Sequence, residues 1–242
     1  MCELFGVSSS VPSGPTEYFR RFLERCAFNR DGWGLAWYPD KAARLCKEPA
    51  PGNTSALAGF ISSSPAVRAI LFIGHARKTS SSAAAYQNTH PFQRELFGKE
   101  FVFAHNGNVS LMKTTPAGRF QPVGQTDSEH AFCYMLSRLE ARSRQAGTEL
   151  DFEWLASEMR DVNRFGKFSC LLSDGDALIC RRDAGGKNGL SFLKAQSGTA
   201  SRYVIASEPL SNEAWVDFQP GELTVFRQGS LVHSSAGRSN DR

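Results

Sequence analysis

The second residue of this sequence carries the most chemistry. Cys2 follows Met1, and an initiator methionine is removed when the side chain after it is small. Removal would put a thiol of pKa about 8.5 beside a free α-amine of about 7.7–8.0. That pair is a nucleophile with its own base near neutral pH. Cys2 also reads as a small apolar residue opening a strand, since free cysteine is usually buried and inert. Taken by itself, the stretch favours the second reading.

Four other positions bear on the choice. Asn106-Gly107 directly follows an apolar strand. It is the strongest two-residue turn signal. It is also a pair whose side-chain amide and backbone N–H can converge on one oxyanion. Arg77 ends an apolar run, where a charge needs either a structural acid or a ligand carboxylate for its planar fork. Asp127 sits in the first turn of a helix, favoured there by the dipole and equally able to bind an ammonium group. Each has a plain structural explanation. Together, a terminal nucleophile, an oxyanion pair, a carboxylate clamp and an ammonium acceptor are the parts needed to cut the side-chain amide of glutamine.

Other chemistries find less support. His75, His90 and His105 lie at or near strand ends, but their spacing fits no metal-binding pattern and no acidic cluster accompanies them. Histidines bonded to backbone are expected, and no metal or cofactor. One of them could serve as base for a cysteine, but no local signature of that kind surrounds any of the six. Those cysteines (2, 26, 46, 133, 170 and 180) form no CxxC pair, which argues against a zinc knuckle or a small disulfide framework. The net charge of +4 comes from scattered Arg and Lys, so neither nucleic acid nor a membrane surface is suggested. No signal-like segment opens the chain and no apolar run approaches a membrane span. A cytoplasmic enzyme with reduced thiols is expected.

These residues need elements to hold them. Residues 2–8 read as a strand buried on both faces, with Cys2, Leu4 and Gly6 on one and Phe5 and Val7 on the other. Residues 16–28 read as an amphipathic helix, and residues 35–38 and 43–47 as a hairpin. One or two helical turns fit residues 57–62. Ala69–Arg77 is a continuous apolar run, hence a central strand, and residues 78–92 read as an ordered surface loop. Phe101–His105 is a strand stopped by Asn106-Gly107-Asn108. Thr126 and Glu129 have capping-box spacing ahead of a long helix, and a second helix spans about 152–162. Strands follow at 168–172, 177–181, 190–194, 203–206, 222–226 and 231–233. This order predicts one α+β domain over residues 1–233, with stacked antiparallel sheets, outer helices and a disordered tail at 234–242.

The sequence resembles the class II glutamine amidotransferases of the N-terminal-nucleophile hydrolase superfamily, close to their stand-alone YafJ type. The resemblance rests on 1–6 (MCELFG), 30–34 (RDGWG), 74–77 (GHAR), 88–92 (NTHPF), 104–108 (AHNGN) and 125–129 (QTDSE), in family order. Weaker likeness continues at 171–175, 206–210 and 220–222. It implies an αββα sandwich and Cys2 as nucleophile once Met1 is gone. It further implies Asn106 and Gly107 as the oxyanion hole, Arg77 on the glutamine α-carboxylate and Asp127 on its α-amino group. The chain departs from the family just after Arg77, where synthase-linked members have Trp and a Thr-His pair. Lys78, Thr79, Ser80 and Ser81 stand there instead, so strict preference for free glutamine is not implied.

Three functions follow as expectations. The first is a glutaminase or amidotransferase, with any ammonia-using synthase site on a separate chain. The second is a hydrolase of γ-glutamyl amides or peptides, and the third a non-catalytic glutamine-binding regulatory subunit. A homodimer is left open.

Overall fold

The alternation at the start of the chain sets up the layers. In the computed structural model, which describes residues 1–79, 82–197 and 200–235, strand β1 (Glu3–Ser13) turns Phe5 and Val7 one way and Leu4 the other. Phe5 and Val7 meet helices α1 (Thr16–Arg25) and α2 (Ala56–Ser63). Leu4 meets a second sheet instead. Gly6 shares that inner face, and a Cβ there would lie 3.2 Å from both Leu171 and Leu178 of the opposite sheet.

The first sheet also holds β2 (Trp33–Trp37), β3 (Arg44–Glu48), β4 (Ala69–Ala76), β9 (Ser191–Ser197), β10 (Ala200–Ala206) and β11 (Val216–Asp217). Its order is β11-β9-β10-β1-β4-β2-β3. The second contains β5 (Phe92–Leu96), β6 (Lys99–Asn108), β7 (Lys167–Ser173), β8 (Ala177–Arg181), β12 (Leu223–Arg227) and β13 (Ser230–Ser235), ordered β13-β12-β8-β7-β6-β5. All pairings recorded in both sheets are antiparallel. Helices α3 (Asp127–Ala146) and α4 (Phe152–Asn163) cover the outer face of the second sheet. The result is an α+β sandwich of four layers, αββα, with an apolar core at each of its three interfaces.

Several expectations need correction. The strand before Asn106 does not stop there: β6 continues to Asn108, paired with β7 as far as Lys167. The stretch after Arg77 is not all surface, since Asn88, Thr89 and His90 are buried and β5 begins at Phe92. Ser80 and Ser81 lie outside the described residues. The capping box is half formed. Thr126 Oγ1 accepts from Glu129 N, but the Glu129 carboxylate accepts from Val123 N and Gly124 N rather than from Thr126. Strand β13 runs to Ser235, two residues into the expected tail, and 236–242 lie outside the described residues. Among the described residues no helix is long and apolar enough to cross a membrane.

Candidate active site

Two strands from different sheets end in the same place. Cys2 lies two residues before Leu4, on the inner face of β1, and Asn106 lies two after Ala104, on the inner face of β6. The period of two therefore carries both side chains into the layer between the sheets. Strand β4 runs antiparallel to β1 with Glu3 opposite Ala76, which brings Arg77 level with Cys2. Three of the sequence-predicted residues thus arrive at one end of the sandwich by strand parity alone.

Cys2, Asn106 and Gly107 line one cavity of about 290 Å3, with Met1, Lys78, Thr79, Asn108, Lys167 and Asn188. The Cys2 thiol lies 3.4 Å from both the carbonyl oxygen and the backbone N of Lys78. Burial pushes the thiol pKa up. The Lys78 N–H, the N-terminal charge and Arg77 act against that rise.

Asn106 is held from two sides. Its Nδ2 lies 3.4 Å from Ser207 Oγ, which also accepts from Leu4 N at 2.9 Å. Its carbonyl accepts from Asn188 Nδ2 at 2.9 Å. Gly107 approaches β7 so closely that a Cβ would sit 1.9 Å from the Lys167 carbonyl oxygen. Only glycine fits there. That same carbonyl accepts from His105 Nε2 at 3.1 Å, and His105 Nδ1 lies 2.9 Å from Ser128 Oγ on α3.

Arg77 and Asp127 do not line the cavity. Arg77 is 3% exposed and its guanidinium donates to Asp31 O, Ala83 O, Ser82 O and Ser82 Oγ. Among the described residues no carboxylate pairs with it; Asp31 instead accepts from Thr79 N at 2.8 Å. The Asp127 carboxylate accepts from Val109 N at 2.6 Å and from Ser128 N at 3.0 Å, tying the start of α3 to the chain just past Asn108.

The three histidines sit behind the site. His75 Nε2 bonds to the His105 carbonyl, so His75 and His105 both bond to backbone as expected. His90 does not; its ring stacks on His75 at 4.1 Å between centroids, and neither ring nitrogen has a hydrogen-bond partner among the described residues. Burial lowers all three pKa values, that of His75 to about 3. Among the described residues no group of His, Cys, Asp or Glu is arranged to hold a metal ion.

Two residues of the site carry no warning in the sequence. Ser207 falls inside the stretch of weaker likeness at 206–210 with no role attached, and Asn188 lies in a polar, Gly-rich stretch between strands. Both act through partners about a hundred residues away.

Similarity to known proteins gives the family. A family model for the class-II glutamine amidotransferases matches residues 1–197 and again 188–242. The chain belongs to that family. It is 33% identical to the Escherichia coli glutamine amidotransferase candidate YafJ, over 96% of this chain and all of that one. A Pseudomonas aeruginosa crystal structure described as a predicted glutamine amidotransferase is 28% identical, with a TM-score of 0.67 over 96% of this chain and all of that one. The glutamine phosphoribosylpyrophosphate amidotransferase of Bacillus subtilis shares the fold at 19% identity. Its TM-score is 0.70, over 99% of this chain and 50% of that one.

Proposed function

We propose that the chain is an amidohydrolase that cuts γ-glutamyl amides through a thioester on Cys2. The observation that carries this reading is the single cavity shared by Cys2, Asn106 and Gly107. Loss of Met1 places the α-amine on Cys2 itself. Its charge then lies closer to the thiol and opposes the effect of burial.

The amine, directly or through a water, takes the thiol proton as sulfur attacks the γ-carbonyl carbon. Asn106 Nδ2 and Gly107 N–H stabilise the oxyanion. The C–N bond breaks, and the leaving nitrogen takes the proton held by the amine. Water then hydrolyses the thioester, freeing glutamate and restoring the thiol. Arg77 binds the substrate α-carboxylate and Asp127 the α-ammonium. Arg77 must then share or exchange its contacts with Ser82 and Ala83. When glutamine is the substrate, the ammonia passes to solvent or to a synthase on another chain.

Incubation of Met1-free protein with glutamine, γ-glutamyl amides and γ-glutamyl peptides tests the reading by release of glutamate. Release from at least one class is expected. Tight binding of glutamine without release from any of them would make the chain a glutamine-binding subunit.

A further inference from the structure

The charge around Cys2 is lopsided. Lys78 and Lys167 line the cavity and, among the described residues, no acid does. Lys167 also lines an adjoining recess of about 550 Å3, together with Arg160, Arg164 and Lys187. The acid in that recess is Asp183, buried, with its carboxylate already accepting from Asn163 Nδ2, Phe168 N and Lys187 N. Arg164 pairs with Asp161 at 3.3 Å, both of them exposed. Among the described residues, Lys78, Arg160, Lys167 and Lys187 form no ion pair.

The recess and the cavity share Lys167, the first residue of β7. The Lys167 carbonyl oxygen is the atom against which Gly107 is pressed. Lys167 thus joins the cationic recess to the cavity that holds Cys2, Asn106 and Gly107. Glutamine has no use for them, because its α-carboxylate and α-ammonium cancel and Arg77 and Asp127 form a matching pair. Lys78 adds to the surplus on the Cys2 side. A cleft lined by one sign of charge favours ligands of the other.

We infer that the preferred substrate is a γ-glutamyl amide whose amine half carries an anionic group, a carboxylate or a phosphate, seated among Arg160, Arg164, Lys167 and Lys187. The inference rests on the hydrolase reading above and adds the class of leaving amine.

The test compares kcat/KM for γ-glutamyl-propylamide, γ-glutamyl-β-alanine and γ-glutamyl-phosphoethanolamine, which differ in the charge of the amine half. The native protein should favour an anionic compound over the propylamide by about tenfold at low salt, since exposed charges contribute modestly each. Whichever anionic compound is faster separates carboxylate from phosphate. The preference should shrink as salt screens it. Arg160→Gln with Lys187→Gln should bring the ratio close to one. Lys187→Glu, a single change at an exposed position, should lower it and favour the γ-glutamyl amide of 1,3-diaminopropane. A native ratio near one, or a ratio that neither variant moves, overturns the inference while leaving the hydrolase intact. Glutamate release from no compound, glutamine included, overturns the hydrolase reading and this inference with it.

Discussion

At the residue scale, Asn106 is fixed before any substrate arrives. Ser207 lies beside its side-chain amide and Asn188 holds its main-chain carbonyl, so the backbone that carries the proposed oxyanion donor needs little reorganisation. Preorganised donors of this kind are usually worth about 10²–10³ in rate. Asn106→Ala should lower kcat by that factor with a much smaller change in KM. A fall in binding alone, with kcat intact, would remove Asn106 from the oxyanion hole. Cys2, Asn106 and Gly107 were legible in the sequence because short contiguous motifs carry them. Ser207 and Asn188 were not, because a hydrogen bond to a residue about a hundred positions away leaves no periodic trace.

At the element scale, strand parity does most of the positioning, and parity is legible in sequence. The alternation of Leu4 with Phe5 and Val7 assigns Cys2 to the inner face, and the run from Val102 to Asn106 does the same for β6. What the sequence could not give was how far β6 extends. Asn-Gly reads as a stop, yet the edge of β7 continues the ladder to Lys167 and overrides the local signal. The capping box was likewise half right. Thr126 caps α3, but Glu129 turns to the preceding loop and to Arg94, which lies 2.5 Å away. Thr126→Ala should therefore cost about 1 kcal/mol in denaturant unfolding, the usual value of an N-cap. Because α3 carries both Asp127 and Ser128, a larger loss would mean that the cap also holds the tie to Val109.

At the scale of the whole molecule, the sandwich buries His75, His90 and His105 uncharged between its layers. Their folded pKa values lie below the ordinary 6.5, that of His75 at about 3. Below about 6.5 the unfolded chain binds more protons than the folded one, down to about pH 3 for His75, so stability rises with pH and is lost on acidification. Each proton that the folded chain declines is worth at most about 1.4 kcal/mol per pH unit. A domain stable by roughly 5–15 kcal/mol cannot absorb much of that. Thermal melts should hold steady near pH 7–8 and fall steeply from pH 6 towards 4. A flat profile over that range would mean that the histidines gain partners in solution. The layer order itself followed from the succession of strands, two long helices and strands. The burial of residues 88–90 did not, since a polar stretch reads as surface until its partners are known.

The central claim is that Cys2, as the amino terminus, is the nucleophile. Purified chain should first be weighed by intact mass to establish that Met1 is gone. Glutamate release by this protein is then compared with that of Cys2→Ser and of a chain that retains Met1. The account predicts release by the Met1-free protein and its near-complete loss in the other two. Cys2→Ser keeping most of the activity, or a Met1-bearing chain turning over as fast, would contradict it.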